Sequence, residues 1–236
     1  MIPASRLVID FDRRFDRFLS QDNQRLRLED KLAVINEAIE IYFENKVKIA
    51  ETNSSVRNIL RSLEEKEVSL KNLRDEKHYT IFEIPEKSYT ILRQRALVSK
   101  EHCGTKEIPV LMFQSDDINN ARKSPYWKSS YQWEHAIADE GAKGLYVWHE
   151  GDFKIDELIV DYYRRPQEVH APSMKEEKFY IDWNGKKQTK DQGLELRDYA
   201  YKDIGDIASL IYKANIGDAS DYEIQLSKIL NVENIQ

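Results

Sequence analysis

Residues 131–166 read YQWEHAIADEGAKGLYVWHEGDFKIDELIVDYYRRP, and this stretch decides the fold class. Tyr131, Trp133, His135 and Ile137 alternate with Gln132, Glu134, Ala136 and Ala138, the period-two signature of a half-buried strand. A link holding Gly141 and Gly144 leads to a second strand over 145–149. Glu150-Gly151-Asp152 reads as a short turn into a third strand over 153–165, whose parity changes around Glu157-Leu158 and so predicts a bulge. The three strands are expected to form an antiparallel meander.

Working outward, strands are also predicted at 79–84 and 89–98, and Ile108, Val110 and Met112 alternate in a further one that ends near Gln114. Asp116-Asp117-Ile118 can start one helical turn, stopped by Ser124-Pro125 because the residue before proline avoids the α region. Pro166 and Pro172 end the block, and the charged run 175–190 has room for one more strand at 179–183.

On either side the period is helical. Leu7, Phe11, Phe15 and Phe18 form one stripe, and Leu28, Leu32, Ile35, Ile39, Tyr42 and Ala50 form a longer one, interrupted at Lys46. Thr52-Asn53-Ser54-Ser55 offers N-caps for a third helix carrying Val56, Ile59, Leu60 and Leu63. The run 64–77 is so charged that it reads as leaving the surface of a bundle. Helical spacing returns at Ala200, Ile204, Ile207, Ile211 and Ala214, then at Ile224, Ile229 and Leu230. The pattern predicts an α+β fold: a helical bundle formed by N- and C-terminal helices with an inserted antiparallel β-sheet block. Its divisions are N-terminal helices over 1–77, the β block over 78–190, and C-terminal helices or an arm over 191–236.

With 236 residues the chain can bury up to about three quarters of its unfolded surface. Thirty-six Lys and Arg against 42 Asp and Glu leave a net charge of −6, which supplies no uniform cationic field for a phosphate backbone and argues against sequence-specific nucleic-acid binding. Cys103 is the single cysteine, so no internal disulfide and no four-cysteine zinc site can form within one chain. The opening MIPASRLVIDFDRRFDRF meets charge by Asp10 and lacks the apolar run of a signal peptide, and no segment approaches a membrane span. Synthesis in a reducing cytoplasm is the expectation.

No catalytic, cofactor or metal constellation is expected. His149-Glu150 opens like a zincin helix, but Phe153 stands where the second histidine belongs. His102 and Cys103, adjacent on a strand, would point to opposite faces. Asp161 followed by Glu176 and Lys178 has the residue types of a Mg²⁺-dependent nuclease, yet such triplets are common in a chain one third charged. The aromatic residues are the remaining signal: Tyr126, Trp127, Trp133, Tyr146, Trp148 and Tyr163 cannot all face one core, and such rings are enriched where proteins meet. They are the candidate subunit interface. A two-sided sheet covered by the chain's own helices is the alternative reading of the same rings.

Ile35-Asn36-Glu37-Ala38, a proline-initiated strand with Tyr89, Gln114-Ser115-Asp116-Asp117-Ile118, Lys123-Ser124-Pro125-Tyr126-Trp127, Trp133 and Asp161-Tyr162-Tyr163-Arg164-Arg165-Pro166 follow one another in that order. The succession resembles the neck proteins of tailed bacteriophages, in particular the head-tail adaptor or ring proteins of crAss-like phages, over roughly residues 7–211. The resemblance implies a virion protein of the neck, without cofactor or catalytic residues, in a homo-oligomeric ring typically of about twelve subunits. It would contact the portal protein on one side and an adjacent neck or tail protein on the other, with DNA passing through the lumen. It also implies a C-terminal portal-gripping arm over 218–236, whose apolar residues are Ile224, Leu226, Ile229 and Leu230. A stopper or tail-completion protein, a nuclease using Asp161, Glu176 and Lys178, and an interaction module unrelated to phage are the alternatives.

Overall fold

The computed structural model describes residues 2–16, 26–50, 52–182, 184–196, 200–215 and 222–231. In chain order its elements are helices α1 (Ala4–Asp16), α2 (Leu28–Ala50) and α3 (Ser54–Leu60), then strands β1 (Glu64–Leu70), β2 (Asn72–Asp75), β3 (Tyr79–Phe82), β4 (Ser88–Lys100) and β5 (Gly104–Met112). Helix α4 (Ile118–Lys123) precedes β6 (Ala136–Gly141), β7 (Gly144–Trp148) and β8 (Lys154–Arg164). A small hairpin of β9 (Tyr180–Ile181) and β10 (Lys187–Gln188) is followed by α5 (Ala200–Asn215) and α6 (Tyr222–Asn231). The chain divides into two compact units, one of residues 1–63 with 166–236 and the other of residues 64–165.

The expected architecture, a bundle carrying a modest antiparallel insert, is overturned. An eight-stranded sheet of order β1-β8-β4-β5-β6-β7-β3-β2 dominates the structure. The two ends of that order are consecutive in sequence: β1 pairs with β8 and β2 pairs with β3, separated only by Lys71. One bent stretch, 64–75, is therefore both the first and the last lane of the sheet, which curls round on itself. The charge of 64–77 marks the solvent side of these strands; Leu70 reaches inward, with Val68 half-buried beside it.

Curling makes one interior. Leu70, Phe82, Ala96, Val98, Ile108, Val110, Ala136, Ala138, Leu145, Val147, Ile155, Leu158, Val160 and Tyr162 form a single buried cluster drawn from β1 and from each of β3 to β8. All of these residues are 7% exposed or less and pack against one another as one core. The cluster mixes small residues on β6 (Ala136, Ala138) with large ones such as Phe82.

Three strand expectations are corrected. Residues 131–134 are a turn and β6 begins only at Ala136, because Ser130 and His135 bridge each other and Glu134 adopts a φ of +55°. The meander does not form. β7 lies between β6 and β3 while β8 lies between β1 and β4, since the amides of His149 and Glu150 both donate to His78 O (3.0 Å each) and turn the chain off the β7 edge. Nor is the sheet wholly antiparallel: β5 and β6 are parallel, as the long crossover through α4 requires. The parity change at Glu157-Leu158 is a bulge, with Ala96, Leu97 and Val98 facing Leu158, Glu157 and Ile155 and leaving Asp156 unpaired. Gly144 starts β7 at φ +136°, where a Cβ would lie 2.2 Å from Phe82 O, so only glycine lets the two backbones meet.

In the helical unit, α2 packs against α1, α3 and α5. Leu7, Val8 and Phe11 of α1 are buried; the side chain of Phe15, and Phe18, lie outside the described residues. Asn53 caps α3 by accepting the Ser55 amide (3.0 Å). Lys46, which interrupts the apolar stripe in sequence, is fully buried, its ammonium 5.0 Å from the centre of the Tyr42 ring. Asn36 on α2 holds the returning chain: its Oδ1 accepts the Val169 amide (2.7 Å) and its Nδ2 donates to Val169 O (3.2 Å), so one side chain completes both backbone groups of a buried residue.

Candidate functional site

The chain leaves β5 at Met112, crosses the outside of the sheet as α4, and re-enters at β6. Ile118 and Ala121 of α4 cover Ile137, with Leu111, Phe113 and Trp148 packed around them. Pro125 stops the helix, and residues 124–135 become a loop held to the sheet at several points. The Ser129 hydroxyl donates to Trp148 O and accepts the Ile137 amide (2.9 Å). The Tyr131 amide donates to Asp152 Oδ2 (2.8 Å), and its hydroxyl lies 3.1 Å from both Cys103 O and Gly104 O. The Lys106 ammonium sits 4.1 Å from the centre of the Tyr131 ring. Inside the loop, the His135 ring spans the carbonyls of Trp127 (3.2 Å) and Trp133 (3.3 Å).

This frame displays Tyr126, Trp127 and Trp133, which are 84%, 52% and 71% exposed. Large rings left in water on a backbone already fixed lose little further entropy when a partner covers them. The other three residues of the predicted interface have partners of their own. Tyr146 lies against Tyr79 (5.6 Å between ring centres), and Tyr163 is only 3% exposed. Trp148 packs at a tilt against Tyr79 (4.8 Å between ring centres), carries the Arg122 guanidinium 3.7 Å from its ring centre, and donates from Nε1 to Asp139 (2.6 Å). The six candidates thus separate into three that are more than half exposed, of which Trp127 also meets Phe113 edge-on (6.0 Å), and three that the chain itself largely occupies.

Electrostatics support the same frame. Burial works to raise the Asp152 pKa, but hydrogen bonds from Lys100 and the Tyr131 amide outweigh it and hold the carboxyl below the ordinary aspartate range. Burial pushes His149 down, leaving a neutral ring whose Nδ1 accepts the Gly151 amide (3.1 Å).

Elsewhere, Ile224 of the predicted arm is 56% exposed, while Leu226, Ile229 and Leu230 are half-buried on α6, which packs against α5. Residues 218–221 and 232–236 of that arm lie outside the described residues, as does Trp183 of the strand expected at 179–183. The nuclease residues are not assembled within either unit. Asp161 accepts the Glu67 amide (2.8 Å) in the sheet unit, whereas Glu176 and Lys178 are exposed in the helical one. Cys103 is exposed in the turn between β4 and β5.

One constellation escaped sequence reading. Glu168, His170 and Asp182 each bring one donor atom to within 4.8 Å of the others. Glu168 and His170 share a face of an extended segment tied to Asn36 and paired with Gln192, and Asp182 enters from the β9–β10 hairpin. The Nδ1 of His170 lies 2.7 Å from Tyr180 Oη, and its Nε2 faces Glu168 Oε2 at 3.7 Å. Burial lowers the His170 pKa, and a hydrogen bond from Gln188, aided by backbone amides, lowers that of Asp182. Burial drives the Tyr180 pKa upward. The only signal in the sequence is Glu-x-His, too short to single out. No helix among the described residues is long and apolar enough to cross a membrane. No family model matches the chain, and no curated protein matches it.

Proposed function

We propose that this protein is a structural protein of a tailed-bacteriophage virion: a subunit of the head-tail connector that joins portal to tail as an adaptor ring and forms part of the DNA conduit. The observation that carries the reading is the loop 124–135, where Tyr126, Trp127 and Trp133 stand in solvent on a backbone pinned by Ser129, Tyr131 and His135. A ring subunit needs a surface of this kind, because a head-to-tail contact joins two different patches and buries on the order of 800 Å² per partner. The ordered motifs that end in Tyr126-Trp127, Trp133 and 161–166 supply the phage context. A net charge of −6 suits a conduit through which DNA slides without adsorbing. In this reading the protein is made in the host cytoplasm, resides in the neck, and works by holding neighbours in place, not by turnover.

Mass spectrometry of purified virions, joined to cryo-electron microscopy of the particle neck, tests the proposal. The protein should be found in stoichiometric amount with loop 124–135 at a subunit or portal contact. Virions lacking it, or a neck map in which that loop faces solvent, would overturn the reading.

A further inference from the structure

We propose that Glu168, His170 and Asp182 form a three-ligand site for a first-row divalent cation, with zinc the best fit, that clamps the β9–β10 hairpin to the segment 168–170. The inference is independent of the connector reading. Three observations carry it. The donors are one imidazole and two carboxylates, two from the segment 168–170 and one from the β9–β10 hairpin, brought within 4.8 Å of one another. With metal–ligand bonds of about 2.0–2.2 Å the donor atoms must stand roughly 3–3.5 Å apart. The His170–Glu168 pair stands at 3.7 Å, close to that spacing, and the Glu168 side chain, 43% exposed, is free to adjust; within the 4.8 Å limit the set contracts modestly on binding.

The imidazole is positioned as a ligand would be. Its Nδ1 is engaged by Tyr180 Oη at 2.7 Å, which orients the ring and leaves Nε2 facing Glu168. At 3.7 Å, Nε2 and Glu168 Oε2 are too far apart for a hydrogen bond but are spaced to share an ion. Asp182 is held as well: Oδ1 accepts the Lys186 amide (2.8 Å) and Oδ2 accepts Gln188 Nε2 (2.7 Å). The Asn184 amide is a third donor to this carboxylate, which leaves one of its roughly four lone-pair sites open for a metal.

The donor set selects the ion. Calcium takes six to eight oxygen ligands and magnesium seldom uses imidazole, whereas imidazole with carboxylates suits zinc and its neighbours, water filling the open positions.

The full chain, stripped with chelator, is titrated with Zn²⁺ in competition with a chromophoric chelator. The expected result is one Zn²⁺ per chain at micromolar affinity, accompanied by a rise in Tm. His170→Ala should abolish that site. Glu168→Gln, a substitution at a half-exposed position that leaves the far-ultraviolet circular dichroism unchanged, should weaken it at least about tenfold. Absence of saturable binding at micromolar Zn²⁺ would overturn the proposal. So would a Zn²⁺ stoichiometry and affinity that survive Glu168→Gln, whether or not the His170→Ala protein folds.

Discussion

Asp152 Oδ2 accepts the backbone amide of Tyr131 at 2.8 Å, while its other oxygen takes the Lys100 ammonium, so one carboxylate joins the start of β8 and the end of β4 to the loop that displays the aromatic rings. The bond spans 21 residues of chain, and it fixes the loop from outside. Asp152→Ala leaves the Tyr131 amide without its acceptor, while the Lys100 ammonium, 36% exposed, turns to water. The expected cost is ~1–3 kcal/mol in urea unfolding, with a change in tryptophan emission from Trp127 and Trp133. A loss below about 0.5 kcal/mol would show that the loop stands without it.

The same turn makes the sheet unit acid-sensitive. His149 has its pKa lowered by burial from an ordinary 6.5, so its neutral form stabilises the fold above that value. Stability is lost as pH falls from 6.5 toward the folded value, because the unfolded chain binds the proton first. Asp152 adds a second, lower step: its folded pKa is depressed, so its contribution is present above an unfolded value of 3.8 and disappears as pH falls through the folded one. Chemical unfolding between pH 8 and pH 5 should show the first loss, and His149→Gln should flatten it.

Gly144 admits no side chain. An alanine there would meet Phe82 O at 2.2 Å while holding φ at +136°, so Gly144→Ala should cost ~2–3 kcal/mol. Gly104, also at positive φ but with open space where a Cβ would stand, is the control, and its alanine variant should lose less. Equal thermal shifts for the two would contradict the close approach of β7 and β3.

Asn36 satisfies both backbone groups of Val169, which is fully buried. Asn36→Ala leaves a buried donor and acceptor without partners, and ~2–4 kcal/mol is the expected loss. Asn36→Asp keeps the acceptor alone and should fall between. Hydrogen exchange at the Val169 amide reads the effect locally.

Trp133→Ser and Tyr126→Ser remove exposed rings and should leave monomer stability within about 0.5 kcal/mol. If loop 124–135 is a contact surface, each should weaken self-association or portal binding by roughly 30-fold, the ordinary scale of an aromatic anchor. Analytical ultracentrifugation with and without portal protein measures this. Unchanged association with both rings removed would place the contact elsewhere.

The helices were legible because their stripes are local: Leu32, Ile35 and Ile39 face a core that their own spacing announces, and Asn53 caps α3 as the polar run suggested. The strands were legible singly and illegible as a sheet. Nothing local distinguishes a β8 that pairs with β7 from one that pairs with β1 and β4, because the choice is made by His78 O drawing the amides of His149 and Glu150. Charge misled twice. Residues 64–75 are charged because they edge the curled sheet with one side in water, and Lys46 is buried where a stripe looked broken. Alternation over 131–137 misled because a tight loop at Ser130 and His135 can carry the same parity as a strand. Of the interface rings, Trp148 could not be separated from Trp133 in sequence, since only the fold brings Tyr79, Arg122 and Asp139 to it.

The stretch 64–75 serves two lanes, and one of its partners, Asp161 opposite Glu67, comes 94 residues later. During synthesis its first half must therefore wait beside the ribosome until β8 has emerged. Helices α1 and α2 wait longer, for α5. A nascent chain stopped between β1 and the end of β8 exposes unpaired strand borders, so fragments ending within the sheet should collect in inclusion bodies.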